Sequence, residues 1–107
     1  MIERYGIYRV RLDPTEGREA QKTRPCVVIS PDRMHAGGMA VICPLTTKLH
    51  PDWAHRIQII CNGEASEVMT DHIRAVSTAR FGKRIDSLDA VDAESLRLLI
   101  CRLYGSV

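Results

Sequence analysis

Thr23-Arg24-Pro25-Cys26-Val27-Val28-Ile29-Ser30 is the stretch from which the rest of the chain is best read. From Pro25 to Ser30 the run is short and dominated by apolar side chains, the pattern of a strand buried on both faces. Upstream, Gly6-Ile7-Tyr8-Arg9-Val10-Arg11-Leu12 alternates apolar and polar residues, as a half-buried strand does. Downstream, Met39 to Leu45 repeats the buried type after the turn-forming Gly37-Gly38. His55 to Cys61 alternates again and stops at Asn62-Gly63, a strong hairpin dipeptide. Glu67-Val68-Met69 and His72 to Val76 supply two more extended pieces, and Lys83 to Ile85 a further one.

The period then changes. Between Asp89 and Tyr104, Leu96, Leu99, Ile100 and Leu103 fall three and four apart, which predicts one amphipathic helix. Asp89 or Asp92 can cap its start, Glu94 suits the positive end of its dipole, and Gly105 can end it. Five to seven short strands closed by one helix describe a mainly β protein: a small, strongly bent barrel with a C-terminal α-helix. At 107 residues this is one domain, 1–107, able to bury a modest core without disulfides.

Hydrophobic residues make up 45% and charged residues 26%, the balance of a soluble globular chain. No apolar run approaches the length of a membrane span, and the first residues lack the apolar centre of a signal peptide, so a cytoplasmic location is expected. The cysteines at 26, 43, 61 and 101 form no CxxC pair and have no histidine at zinc spacing. Cys26, Cys43 and Cys61, each in or at the end of an apolar run, read as small buried hydrophobes, with no metal and no cofactor expected.

Net charge is only +2, but the cations are grouped. Arg18, Lys22 and Arg24 share one segment, and Arg74, Arg80, Lys83 and Arg84 another, against an acidic group at Asp86, Asp89, Asp92 and Glu94. A basic side facing a polyanion is the functional reading. The ten residues between Asp13 and Arg24 are polar and without period, longer than a compact barrel needs, and long loops tend to be functional.

Three residue types there could carry chemistry. Pro25 holds Arg24 to extended backbone, which suits a cation aimed at a phosphate. Thr46 and Thr47 follow an apolar strand through Pro44, and their hydroxyls can donate to a phosphate oxygen. Glu19, among Arg18, Lys22 and Arg24, is kept ionised as a proton acceptor must be. Taken singly, each reads better as an ordinary surface group.

In order and at suitable spacing, Asp13-Pro14-Thr15-Glu16-Gly17-Arg18-Glu19, Arg24-Pro25, Pro44-Leu45-Thr46-Thr47 and Asp71-His72-Ile73-Arg74 resemble the motifs of the MazF/PemK family of toxin endoribonucleases. The resemblance covers nearly the whole chain. It implies an SH3-like, CcdB-like barrel and metal-independent cleavage of single-stranded RNA by the substrate's own 2′-hydroxyl, leaving 2′,3′-cyclic phosphate and 5′-hydroxyl ends. It implies that Arg24 is the main catalytic arginine, that Thr46 contacts the scissile phosphate, and that Glu19, or failing it Asp71, is the base. Arg18 stands where the PemK branch has a histidine.

Around these, Lys22, Thr47, Lys48 and Arg74 would bind RNA, Trp53 would stack on a base or cover the core, and His55 or His72 would be the proton donor. A homodimer and a cognate antitoxin are the implied partners. Ala20 replaces a usual glutamine and so does His72, departures that bear on RNA preference. The rival readings are a gyrase-poisoning toxin of the CcdB type, which would make Arg24 dispensable, and a non-catalytic SH3-like module or decayed toxin, which Ala20 keeps open.

Overall fold

The computed structural model describes residues 1–12 and 23–106. Seven strands are present among them: β1 (Gly6–Arg11), β2 (Thr23–Val28), β3 (Met39–Thr46), β4 (Ile57–Cys61), β5 (Glu64–Val68), β6 (Arg74–Ser77) and β7 (Phe81–Ser87). A one-turn helix α1 (Asp32–His35) lies between β2 and β3, and α2 (Ala90–Tyr104) closes the chain. The order across the sheet is β4-β5-β3-β2-β1-β7, with β6 also on β3. Every pair is antiparallel. The sheet's two ends approach one another where the Asn62 N–H donates to Asp86 Oδ2 at 2.6 Å. The result is the bent β architecture with a C-terminal helix that the strand pattern predicts.

β2 is buried on both faces, as its composition demands. Val27 joins one core cluster with Ile7, Cys43, Leu45 and Leu96, while Cys26 and Val28 join the other with Tyr8, Val10 and Ile42. Leu96 and Leu99 of α2 are buried, whereas Leu98 is 47% exposed and Leu103 37% exposed. The predicted stripe is therefore frayed at its C-terminal end. Full burial of a leucine is worth about 1.5–3 kcal/mol, so Leu96 alone anchors the helix substantially. Asp89, not Asp92, caps it, its Oδ1 accepting from the Asp92 N–H at 2.7 Å.

β3 positions the site. Met39–Ile42 pairs with β6, then Leu45 and Thr46 pair with β5 along the same edge. Pro44 sits at the handover, where a residue without an N–H costs the ladder least; its carbonyl accepts from the Met69 N–H at 2.9 Å. Thr46 thus ends a bent strand at the rim of the barrel. The Asn62-Gly63 hairpin is confirmed by positive φ at both residues, 52° and 84°.

Candidate active site

Arg24 and Thr46 meet. Arg24 enters from β2 and donates from Nη1 to the Leu45 carbonyl at 3.4 Å. This ties the guanidinium beside the last residues of β3. The two side chains border a cleft of about 360 Å³ together with Arg9, Thr47, Asn62 and Glu64. Thr46 Oγ1 accepts the Lys48 backbone N–H at 3.1 Å, which sets the hydroxyl's position and leaves its proton free to be donated. Among the described residues neither Arg9 nor Arg24 is paired with a carboxylate. Two cations and an oriented hydroxyl around one space are equipped for a phosphate.

Arg24 also borders a second depression, with Leu12, His72 and Arg74 among its walls. Thr47 and Lys48 are exposed at the start of the β3–β4 loop. Glu19, Arg18 and Lys22, by contrast, lie outside the described residues. The carboxylate that the described residues bring to the cleft is Glu64.

Asp71 belongs to a different group of charges, on the far edge of β5. Arg56 grips it with both arms of the guanidinium, Nε to Oδ1 at 3.0 Å and Nη2 to Oδ2 at 3.1 Å. The fork holds the Asp71 carboxyl below its ordinary range, and Asp71 in turn raises Arg56. Arg56 also donates from Nη1 to Glu67 at 3.0 Å. Glu67 is fully buried, and burial alone would push its carboxyl up. The His50 N–H at 2.5 Å, Arg56 Nη1 at 3.0 Å, Gln58 at 2.7 Å and the His50 ring at 3.1 Å outweigh that and bring it down to about 2.

Trp53 lies over this group, 40% exposed. Its ring stacks on His50 at 3.8 Å and on His55 at 5.3 Å, and the Arg56 guanidinium stands 4.6 Å from its centroid. Trp53 is neither part of the core clusters nor a bare platform; it caps the buried charges. His55 and His72 approach Asp71 Oδ2 at 3.7 and 3.8 Å. Thr70 donates its hydroxyl to the His55 carbonyl, fastening the end of the loop.

Sequence reasoning missed Arg9, Glu64 and the Glu67 anchor. Arg9 reads as the solvent side of an alternating strand, and only the pairing Arg9↔Pro25 puts it beside Arg24. Glu67 reads only as part of a short extended piece; its burial is accounted for by the donors His50, Arg56 and Gln58. The predicted cysteine role holds for three: Cys26, Cys43 and Cys61 are buried, and burial pushes the Cys26 and Cys43 thiols up to about 12. Cys101, on α2, is exposed. Arg84, grouped above with Arg74, Arg80 and Lys83, is held by Glu3 at 3.1 Å.

A family model described as PemK-like, MazF-like toxin of type II toxin-antitoxin system matches residues 3–104. The chain belongs to that family. It is a family of toxin endoribonucleases. The Mycobacterium tuberculosis protein named endoribonuclease MazF9 is 28% identical over 111 residues, spanning 90% of each chain. In fold, the chain resembles MazF of a Deinococcus radiodurans MazE-MazF crystal structure, with a TM-score of 0.83 at 19% identity over 99% of this chain and 97% of that one. It also resembles M. tuberculosis toxin MazF-mt6, with a TM-score of 0.77 at 18% identity over 94% and 96%. Among the described residues, no helix is long and apolar enough to cross a membrane.

Proposed function

We propose that this protein is a sequence-selective, metal-independent endoribonuclease that cuts single-stranded RNA by attack of the 2′-hydroxyl on the adjacent phosphorus. The observation that carries the reading is the convergence of Arg24 and Thr46 on one cleft with a second cation, Arg9, that has no carboxylate partner among the described residues. In the reaction the O2′–P bond forms and the P–O5′ bond breaks, giving a 2′,3′-cyclic phosphate and a 5′-hydroxyl.

The negative charge that grows on the phosphoryl oxygens is met by the Arg24 guanidinium and the Thr46 hydroxyl. Guanidinium stays protonated at any working pH, so Arg24 does electrostatic work and moves no proton. The proton of the 2′-hydroxyl goes to a carboxylate, for which Glu19 is the first choice. Asp71 is a poor substitute, since both its oxygens are occupied by Arg56. It is better assigned to anchoring the β3–β4 loop. The leaving oxygen takes its proton from His72, which shares a depression with Arg24, in preference to His55, which lies against Trp53.

RNA is held at the loop rims by Thr47, Lys48 and Arg74, with Arg18 and Lys22 of the β1–β2 connection adding charge. Single strands suit such a surface because their bases can be splayed and read. The Deinococcus radiodurans relative was crystallised as a MazE-MazF complex. By analogy a cognate antitoxin would cover this basic cleft with an acidic segment in the cytoplasm. Exposed Leu98 and Leu103 supply apolar surface for a homodimer.

The test is substrate chemistry. A long RNA incubated with the protein in chelator should yield discrete 5′-hydroxyl ends, and replacing the ribose at a mapped cut by deoxyribose should abolish that cut. Cutting that survives the replacement would exclude attack by the 2′-hydroxyl.

A further inference from the structure

β1 and β7 do not pair evenly beside the cleft. Tyr8 pairs with Arg84 but Val10 pairs with Phe81, so Gly82 and Lys83 together face the single residue Arg9. This is a β-bulge, a device that bends a strand and re-aims its side chains, found often at the edges of active sites. Gly82 lies against Arg9, where a Cβ would meet the Arg9 carbonyl oxygen at 3.4 Å and the Arg9 Cβ at 3.7 Å, in ordinary van der Waals contact. The bulge therefore packs its glycine against Arg9 and leaves Lys83 exposed beside it.

Arg9 is a shared wall. On one side it borders the cleft with Arg24 and Thr46. On the other it borders a depression of about 310 Å³ with Arg11, Thr23, Arg80 and Lys83. Of its cations, Arg9 and Lys83 are exposed and have no acidic partner among the described residues. Apart from the half-buried Phe81, it has no apolar socket in which a peptide side chain could anchor. A tract of cations continuous with a phosphate site, without apolar pockets, matches a strand of regularly spaced phosphates better than it matches a folded peptide.

We propose that Arg9 and Lys83 carry the backbone of the RNA onward from the scissile phosphate, the bulge at Gly82-Lys83 setting the direction in which the strand leaves the cleft. This rests on reading the Arg24 cleft as an RNA site. It adds a flanking contact that makes affinity depend on substrate length.

The experiment compares two uncleavable RNAs, each with deoxyribose at a cut mapped with the wild-type protein. One is just long enough to fill the cleft and the other is extended by several nucleotides at both ends. Arg9→Gln/Lys83→Gln should weaken the extended RNA on the order of tenfold, and should lower its log affinity against log salt slope by about 1.4, the loss of two single-strand phosphate contacts. Lys83→Gln alone should lower that slope by about 0.7, with a loss several-fold greater on the extended RNA than on the short one. Unchanged circular dichroism and melting establish that the variants are folded.

Equal losses on both lengths, or an unaltered slope, would overturn the tract. So would variants that keep their RNA affinity but escape inhibition by an acidic antitoxin peptide. If the wild type cuts no transcript, the pair is run on a long unmodified RNA and a shortened one. A length-dependent loss then upholds the tract while the nuclease reading falls. If the wild type cuts and the variants show no length-dependent loss, the tract alone falls.

Discussion

Two charged regions flank the β3–β5 edge, and they are built on opposite rules. In the Glu67–Arg56–Asp71 group each charge has found its partner: Arg56 spans both carboxylates, and Glu67 is buried with donors on both its oxygens. In the cleft, Arg9 and Arg24 have no carboxylate partner among the described residues, and Thr46 keeps an unused proton. Satisfied charges hold a loop still. Unsatisfied ones wait for an anion. The contrast teaches that both oxygens of Asp71 are engaged by Arg56, while the residues with spare capacity line the other side of Thr46.

The strongest way to break this comparison is to remove the shared cation of the paired region. Arg56→Ala leaves Glu67 buried without its main counter-charge, and chemical denaturation should show a loss of about 3–5 kcal/mol. A loss below about 1 kcal/mol would mean the group is solvated and no anchor at all.

On the cleft side, Thr46→Val keeps the shape and removes the hydroxyl. Cleavage should fall by about a hundredfold or more while the melting temperature stays close to wild type, as expected for a lost donor to the transition state. An unaltered rate would place the scissile phosphate elsewhere.

Acid separates the regions by sign. Glu67 folded lies at about 2 against an ordinary 4.5, and Asp71 is also lowered, so the folded state binds these protons less readily than the unfolded chain. Their stabilisation is whole above about pH 4.5 and drains away as pH falls from there towards 2. Urea titrations across that window should show Glu67→Gln flattening the pH dependence relative to wild type. An equal slope in the two proteins would remove Glu67 from the account.

The smallest effect expected is that of Trp53→Leu. It removes the ring that stacks on His50 and lies over Arg56, and stability should drop by about 1 kcal/mol. A decrease in RNA affinity exceeding the stability loss would instead restore Trp53 as a base platform.

Most of the fold was legible because its signals are local. Alternation in β1 and β4, the apolar run of β2, Asn62-Gly63 and the leucine spacing of α2 each follow from a few adjacent residues. α1 was not legible, being four residues without a buried side chain. At the site, Arg24 and Thr46 were legible through the motifs they sit in and proved to share a cleft. Glu19 was equally legible, but it lies outside the described residues. The role of Arg56 was not readable, because a single arginine before a strand declares nothing until β5 brings Glu67 and the turn brings Asp71 to it. Arg9 was hidden for the same reason: its neighbours are β2 and β7, far away in sequence.

The central claim is that the cleft between β2 and β3 binds and activates an RNA phosphate, and Arg24→Ala tests it most directly. With a long RNA in chelator and mapped 5′ ends, the account predicts discrete cuts by the wild type and their loss, by at least about a hundredfold in rate, in a variant that melts like wild type. Identical cleavage profiles for the two proteins would contradict it.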